Sequence, residues 1–481
     1  MSPVVVWFRR DLRLLDNPAL AAAVAERRPV IPVYLHDPLL EGRPIGAASA
    51  WWLDKSLQAL GASLERIGSR LVLRSGDAIE ALVALVAETG ADTVFLNRLY
   101  EPEAAARDEA AAARLEASGV TVRRFNASML SEPGSVLTGS GGPYKVVGPF
   151  ERALRAQAVP VLAPAPQRLA SPAVWPAGED LAAWGLHPRD PDWSGGFGVW
   201  TPGEGGALDR LDVFVERALA RYVTGRETPG AEGSSRLSPH LHFGEISPWR
   251  VVTSAQAAAE RGEAPTSAAE KLATEVAWRD FNRHLLAAFP HLPTTSFRPE
   301  FERFPWRRDP EGLRAWKRGR TGYPIVDAGM RQLWATGWMH NRVRMIVASF
   351  LVKHLLVDWR EGEAWFWDTL VDADLANNVG NWQWTAGSGA DAAPYFRIFN
   401  PTTQGERFDP AGAYVRRWVP ELAGLPDEAL HAPWAAPAHI LRQAGVRLGE
   451  TYPAPIVDHA MARQRALAAL ATLRTHDQIL T

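Results

Sequence analysis

There is no cysteine among the 481 residues. Disulfides, thiolate metal ligands and cysteine nucleophiles are excluded together. An excess of one charge is missing too: 52 Lys and Arg stand against 54 Asp and Glu, a formal net charge of −2. Global charge therefore exerts no pull toward nucleic acid, and any polyanion site must be a local patch. No apolar run is long enough for a bilayer. The longest, "MIVASFLVKHLLV" (345–357), is broken by Lys353 and His354 and falls short of the ~20 residues a span requires. The first residues, "MSPVVVWFRRDLR", carry their charges after the apolar segment, the reverse of a signal peptide. A cytoplasmic protein is expected. Clustered metal ligands are lacking as well. His240 and His242 flank Leu241 without an acidic or histidine partner at metal spacing, so their expected role is structural and no metal is expected. Tyrosine is sparse, at eight, and tryptophan abundant, at twenty; core packing is the ordinary role for each tryptophan.

Apolar residues make up 47% and charged residues 22%, the balance of an ordered globular chain. The length calls for two or three domains. In the first third, "VVVWF" (4–8), "VIPVYL" (30–35), "RLVLR" (70–74), "TVFLN" (93–97) and "VTVRRF" (120–125) alternate with alanine-rich amphipathic stretches. That order predicts an α/β domain over 1–128, with a doubly wound, five-stranded parallel sheet. The first strand leads into "RRDLRLLDN" without a G-x-G-x-x-G turn, so a standard pyrophosphate site at the first crossover is not expected. Residues 129–205 are punctuated by proline and glycine and read as a connector. From 206 to 475 the apolar spacing is helical, predicting a larger all-α domain.

Several helical pieces place polar and aromatic groups where a core would be apolar. Glu275, Trp278 and Arg279 share one face by spacing, as do Asn341, Arg344 and Met345, and Asp374 and Asn378 lie four apart with Asp372 just before them. Each alone reads as an ordinary salt-bridged or capped helix. Together they suggest a polar ligand pocket. "GSSRLS" (233–238) offers Ser234, Ser235 and Ser238, either as turn and capping residues or as hydroxyls for a phosphate. The segment 297–320 has eight basic residues against four acidic ones, interleaved with aromatics. A solvated face is the plain reading; the aromatics tilt it toward nucleic acid.

These stretches together resemble the photolyase/cryptochrome family. The resemblance lies in "VVWFRRDLRLLDNPAL", "GSSRLSPHLHFGEIS", "WRDFNRHLL", "TGYPIVDAGMRQLWATGWMHNRVRMIVASFLVKHLL" and "FWDTLVDADLANNVGNWQWTAGSGADAAPYFRIFNPTTQGERF". It implies FAD, active as the reduced anion, in the all-α domain, and a light-harvesting antenna in the α/β domain. By motif position, Ser234, Ser235, Arg236, Leu237 and Ser238 would hold the pyrophosphate, with Tyr222 and Arg279 nearby. Arg344 and Asp372 would pair over the flavin, Asp374 would bind its polar edge or ribose, and Asn378 would face N5, with Asn341 also beside the cofactor. Where plant cryptochromes carry aspartate, the amide at Asn378 cannot act as an acid toward N5. One of the histidine positions of (6-4) photolyases is occupied by "HNRVRM", and Asn341 and Met345 match dimer-repairing members instead. The resemblance thus implies a light-driven carbon–carbon lyase acting on cyclobutane pyrimidine dimers in DNA, the alternatives being a cryptochrome-type photoreceptor or a (6-4) photolyase. Glu275 would bond the dimer carbonyls and Trp278 and Trp384 would stack on the flipped bases. Arg226, Arg342, Arg397 and Gln404 would contact the DNA backbone, and Trp382, Trp359 and Trp306 would form the electron-transfer chain. The antenna implied is methenyltetrahydrofolate, with 8-hydroxy-deazaflavin as the alternative. Glu103 of "YEPEAAARD" stands at one folate-contact position, although Ala104 departs from the next. A monomer without membrane association is expected.

Overall fold

The computed structural model describes residues 1–391 and 396–479; residues 392–395 of the last motif lie outside it. The five apolar runs form β1 (Val4–Phe8), β2 (Val30–His36), β3 (Val72–Ser75), β4 (Thr93–Asn97) and β5 (Thr121–Phe125). Between them run α1 (Pro18–Ala25), α2 (Ala47–Arg66), α3 (Ala78–Thr89) and α4 (Pro102–Ala117). All strand pairs are parallel, in the order β3-β2-β1-β4-β5. β1 and β4 are buried at every residue, which requires helices on both faces of the sheet. β5, at the edge, carries Arg123 and Arg124 and is largely solvated. Helix ends are written locally. Asn17 caps α1 by accepting from the Leu20 N–H, with Pro18 in the first turn. Asp77 caps α3, which Gly90 closes in the left-handed region at φ 64°.

Residues 129–205 contain one nine-residue helix, α5 (Val147–Arg155), and two short 3₁₀ turns. The segment bonds back to the sheet: Val30 N–H donates to the Ala170 carbonyl and Glu179 N–H to that of Leu73. Thereafter, apart from one isolated bridge, the chain is helical among the described residues: α6 (Glu204–Arg217), α7 (Tyr222–Gly225), α8 (Ser238–His242), α9 (Pro248–Glu260), α10 (Thr266–Ala288), α11 (Pro310–Lys317), α12 (Pro324–Thr336) and α13 (Asn341–Ser349). A π-helical turn, Phe350–Leu355, extends α13. After it come α14 (Trp359–Thr369), α15 (Leu375–Ala386), α16 (Pro401–Phe408), α17 (Ala413–Trp418), α18 (Asp427–Leu430), α19 (Ala438–Gln443) and α20 (His459–Ile479). The architecture is the expected one, a five-stranded parallel α/β part followed by a larger helical part. No helix among the described residues is long and apolar enough to cross a membrane.

The chain divides into two compact units. The first comprises residues 1–220, 235–290 and 371–376; the second comprises 221–234, 291–370 and 377–481. In the first, the crevice beyond the C-terminal ends of β1 and β4, where open α/β sheets usually take a dinucleotide, is filled by protein. Arg9 donates to the Asn97 carbonyl and pairs with Asp108 at 3.1 Å, while Asn97 Nδ2 donates to Asp11 at 2.6 Å. In the second unit, three of the five aromatics of 297–320 overturn one expectation. Phe301, Phe304 and Trp316 are 5%, 4% and 0% exposed, and the two phenylalanines form a core with Ala466, Ala469 and Leu473 of α20. Burial, not base stacking, is their role.

Candidate active site

The first unit holds one set of candidate residues. Along α10, Arg279 turns inward and donates to the carbonyls of Ser128 (2.6 Å) and Leu241 (3.1 Å). Burial, followed by repulsion from Arg283, lowers its pKa to about 10. Glu275, one turn earlier, pairs with Lys271 at 2.8 Å. The carboxylate expected at the dimer carbonyls is thus ion-paired in this structure, held by a lysine at i−4. Trp278 is half-buried and meets Phe281 edge-on at 5.7 Å. Asp374 receives two guanidinium N–H bonds from Arg283, at 2.6 and 3.2 Å. Burial alone would raise the Asp374 pKa, but Arg283 and then His242 reverse this, and the carboxyl is held well below its ordinary range. Asp372 is also buried. In the serine segment, Arg236 adopts a left-handed φ of 53°, an uncommon conformation outside glycine that recurs at functional sites. Leu237 is buried beside it, and Ser235 Oγ accepts from its N–H at 3.4 Å. His242 has both ring nitrogens buried without a hydrogen-bond partner, 3.8 Å from Asp374 at the nearest. Its pKa falls to about 4, by burial and then by repulsion from Arg10. Orphaned polar atoms next to a fixed carboxylate fit a polar ligand such as the ribose and phosphate portion of FAD.

The second unit holds the other set. Asn378 donates both of its Nδ2 hydrogens to Glu363, at 3.0 Å to the backbone carbonyl and 2.8 Å to the carboxylate. A backbone carbonyl can only accept, so the orientation of the amide is fixed. Its oxygen is the hydrogen-bonding atom that remains. Arg226 and Arg342 both pair with Glu227, and Arg342 also lies 3.7 Å from Met345 Sδ and 4.3 Å from the Phe408 ring centroid. Three candidates, Arg226, Arg342 and Met345, are thus brought together. Tyr222 is buried under Arg226. Gly225 and Gly233 cross so closely that a Cβ on Gly233 would come within 2.2 Å of the Gly225 carbonyl oxygen, which sets Ser234 beside α7. Arg344 donates to the Met339 carbonyl at 2.8 Å. Asn341, exposed, opens α13; Gln404 is half-buried on α16, and Arg397 is exposed. Trp384 is half-buried near the end of α15. Of the tryptophan set, Trp382 and Trp359 are 2% and 0% exposed, whereas Trp306 is half-buried against Phe304. Two of the three are thus buried and the third lies nearer the surface.

Residues 4–170 match the DNA photolyase family, and residues 272–472 match the FAD binding domain of DNA photolyase. The chain is 54% identical to the deoxyribodipyrimidine photo-lyase of Agrobacterium fabrum, over 98% of each chain. It is 39% identical to cryptochrome-2 of Arabidopsis thaliana, over 98% of this chain and 79% of that one. A bacterial class III photolyase from Agrobacterium tumefaciens superposes with a TM-score of 0.96, at 54% identity, covering 99% of this chain and 98% of that one. This chain belongs to the photolyase/cryptochrome family. Residues that supply a photolyase-family site from behind were missed by sequence reasoning. Lys271 and Arg283 each stand four residues from a candidate on α10, a spacing that pointed to them. Glu227 and Glu363 reach their partners from other segments, and nothing in the local pattern marked them.

Proposed function

We propose that this chain splits cyclobutane pyrimidine dimers in DNA using light. The observation that carries the reading is the locked amide of Asn378. Its remaining oxygen would accept the hydrogen bond that the N5–H of a reduced flavin donates, and as an amide it has no proton to deliver there. When bound, reduced FAD would supply, on illumination, the electron needed to open the two cyclobutane carbon–carbon bonds, and would take it back afterwards. The protein supplies position and field. Ser234, Ser235, Arg236, Leu237, Ser238, Tyr222 and Arg279 hold the pyrophosphate, and Arg344, Asp372 and Asp374 hold the flavin and ribose. Glu275, released from Lys271 and protonated, donates to the dimer carbonyls, Asn341 and Met345 line the pocket, and Trp278 and Trp384 stack on the flipped bases. Arg226, Arg342, Arg397 and Gln404 take the DNA backbone. Trp382, Trp359 and Trp306 carry electrons inward from the surface.

Residues 1–128 are the antenna domain in this reading. A cleft of about 360 Å³, where Arg98 and Arg124 are balanced by Asp108 and Glu109 beside Tyr100 and Pro102, has room for a flat chromophore there. Methenyltetrahydrofolate fits that description, as does 8-hydroxy-deazaflavin. Glu103 lies on the same helix, packed over Gly42, where a Cβ would come within 2.8 Å of its Cγ. The protein works in the cytoplasm as a monomer. The deciding experiment illuminates the reduced flavoprotein with a dimer-bearing oligonucleotide in near-UV light. Recovery of pyrimidine absorbance, absent in the dark, is expected. A flavin-loaded protein that binds the oligonucleotide and never restores that absorbance refutes repair and favours a photoreceptor.

A further inference from the structure

We propose that Lys353 is a positioning residue for the DNA-facing wall of the second unit: from inside the fold it fixes the segment 396–399, which carries Arg397, against Trp384. The inference rests on the repair reading, which gives Trp384 and Arg397 their roles. Lys353 is 4% exposed. Its ammonium donates to the Arg397 backbone carbonyl and lies 4.4 Å from the Phe396 ring centroid. It borders a cavity of about 20 Å³, room for one water, lined also by Ser349, Trp384, Thr385, Gly387 and Phe399. Ser349 Oγ accepts from the Phe399 N–H at 3.4 Å. The last residue of α13 and the π-helical turn that follows it therefore grip this short segment together, and Trp384 forms another wall of the same cavity.

The choice of lysine is costly unless the charge is used. No carboxylate lines the cavity among the described residues, and an ammonium buried without a counter-charge is penalised by lost hydration. A methionine would fill the space without that penalty. What lysine adds is a charged donor to a carbonyl and a cation–π contact. The turn that presents it is specialised as well. π-helical turns are rare and recur at functional positions, and this one ends at Leu356 with a left-handed φ of 56°. Burial, with Arg397 adding repulsion, brings the Lys353 pKa down to about 7. The other titratable and charged groups bearing on the turn are its neighbour His354, Tyr323 against the Phe350 and His354 rings, Arg307 at the Leu356 carbonyl and, from α20, His459 and Arg465. The last two bond the His354 Nε2 and the His354 carbonyl, and burial lowers both histidines. The histidines titrate on the acid side of neutrality and Lys353 from about 7 upward, so the two can be told apart.

The test measures equilibrium binding of dimer-bearing and undamaged duplex by the flavin-loaded parent, Lys353→Met and Lys353→Arg, from pH 6.5 to 8.5. Lys353→Met should bind the dimer-bearing duplex about tenfold more weakly than the parent at pH 6.5, with unchanged flavin content and a Tm no lower. The parent should approach that weaker value as pH rises, and Lys353→Arg should hold the parent's low-pH affinity throughout. Parental affinity in Lys353→Met, or a parent whose affinity does not move across this range, overturns the proposal. Should Lys353→Met fail to fold, the pH series of the parent against Lys353→Arg still decides. A parent that does not prefer dimer-bearing duplex at any pH points instead to failure of the repair reading.

Discussion

An amide and a carboxylic acid of nearly equal size offer different proton chemistry at position 378. Asn378 is 8% exposed, and Glu363, its partner, is 5% exposed, so neither side chain has room to turn away. Replacing the amide by a carboxyl puts two acids side by side, and one of them must take up a proton. Asn378→Asp should therefore place a proton donor beside N5, and the one-electron stage of flavin photoreduction should come with proton uptake that the parent does not show at that stage. Absorption spectra recorded during illumination, with a pH indicator in weak buffer, check this. Identical spectra and identical proton uptake in both proteins would remove Asn378 from N5. The candidates at this scale were legible because a motif fixes residue types. Their supports were less so: Arg283 could be inferred from helix spacing, whereas Glu363, fifteen residues from Asn378 in sequence, could not.

At the scale of elements, α14 and α15 pack through a glycine. A Cβ on Gly362 would lie 2.1 Å from Trp382 Cη2, and Trp382 also meets Trp316 and Phe366, at centroid distances of 6.2 and 5.0 Å. The indole cannot yield without disturbing both rings. Gly362→Ala should destabilise the fold by about 1–3 kcal/mol, the usual cost of overpacking, and should slow flavin photoreduction because Trp382 must shift. Denaturant unfolding and the photoreduction rate measure the two effects. Elements were the best-read scale, since hydrophobic periodicity reports them directly: the five strands appear within two residues of the runs that announced them. The segment 297–320 was misread for a physical reason. A short turn and helix with aromatics on the core side and arginines on the outer side have the same composition as a base-stacking surface, and only packing tells them apart. Trp316, fully buried with its Nε1 donating to the Val347 carbonyl at 2.9 Å, sits on the core side.

For the whole molecule, charge decides both stability and binding. Each unit buries a neutral histidine: His242, with a pKa near 4, in the first, and His354, near 3, in the second, each lowered chiefly by burial. Below about pH 6.5 the unfolded chain binds protons that the folded chain refuses, so stability falls with pH until the folded values are reached. The loss should be on the order of 1 kcal/mol per pH unit for each histidine, and His354→Phe should make denaturation curves between pH 6.5 and 4.5 measurably less pH-dependent. Binding follows from the opposite feature, the near absence of net charge. With −2 overall, attraction to DNA must come from a confined basic rim, and Arg226 and Arg342 share Glu227 within it. Each phosphate left without its arginine should flatten the log–log salt dependence by about one unit. Arg342→Ala and Arg397→Ala should weaken damaged and undamaged duplex alike. Trp278→Ala and Trp384→Ala should leave undamaged binding and its salt slope unchanged, while costing the dimer-bearing duplex about 1–3 kcal/mol for each stacked ring removed. A salt series on both duplexes separates these classes. If the tryptophan variants bound both duplexes equally weakly, the half-buried rings would be packing residues and the dimer would bind elsewhere.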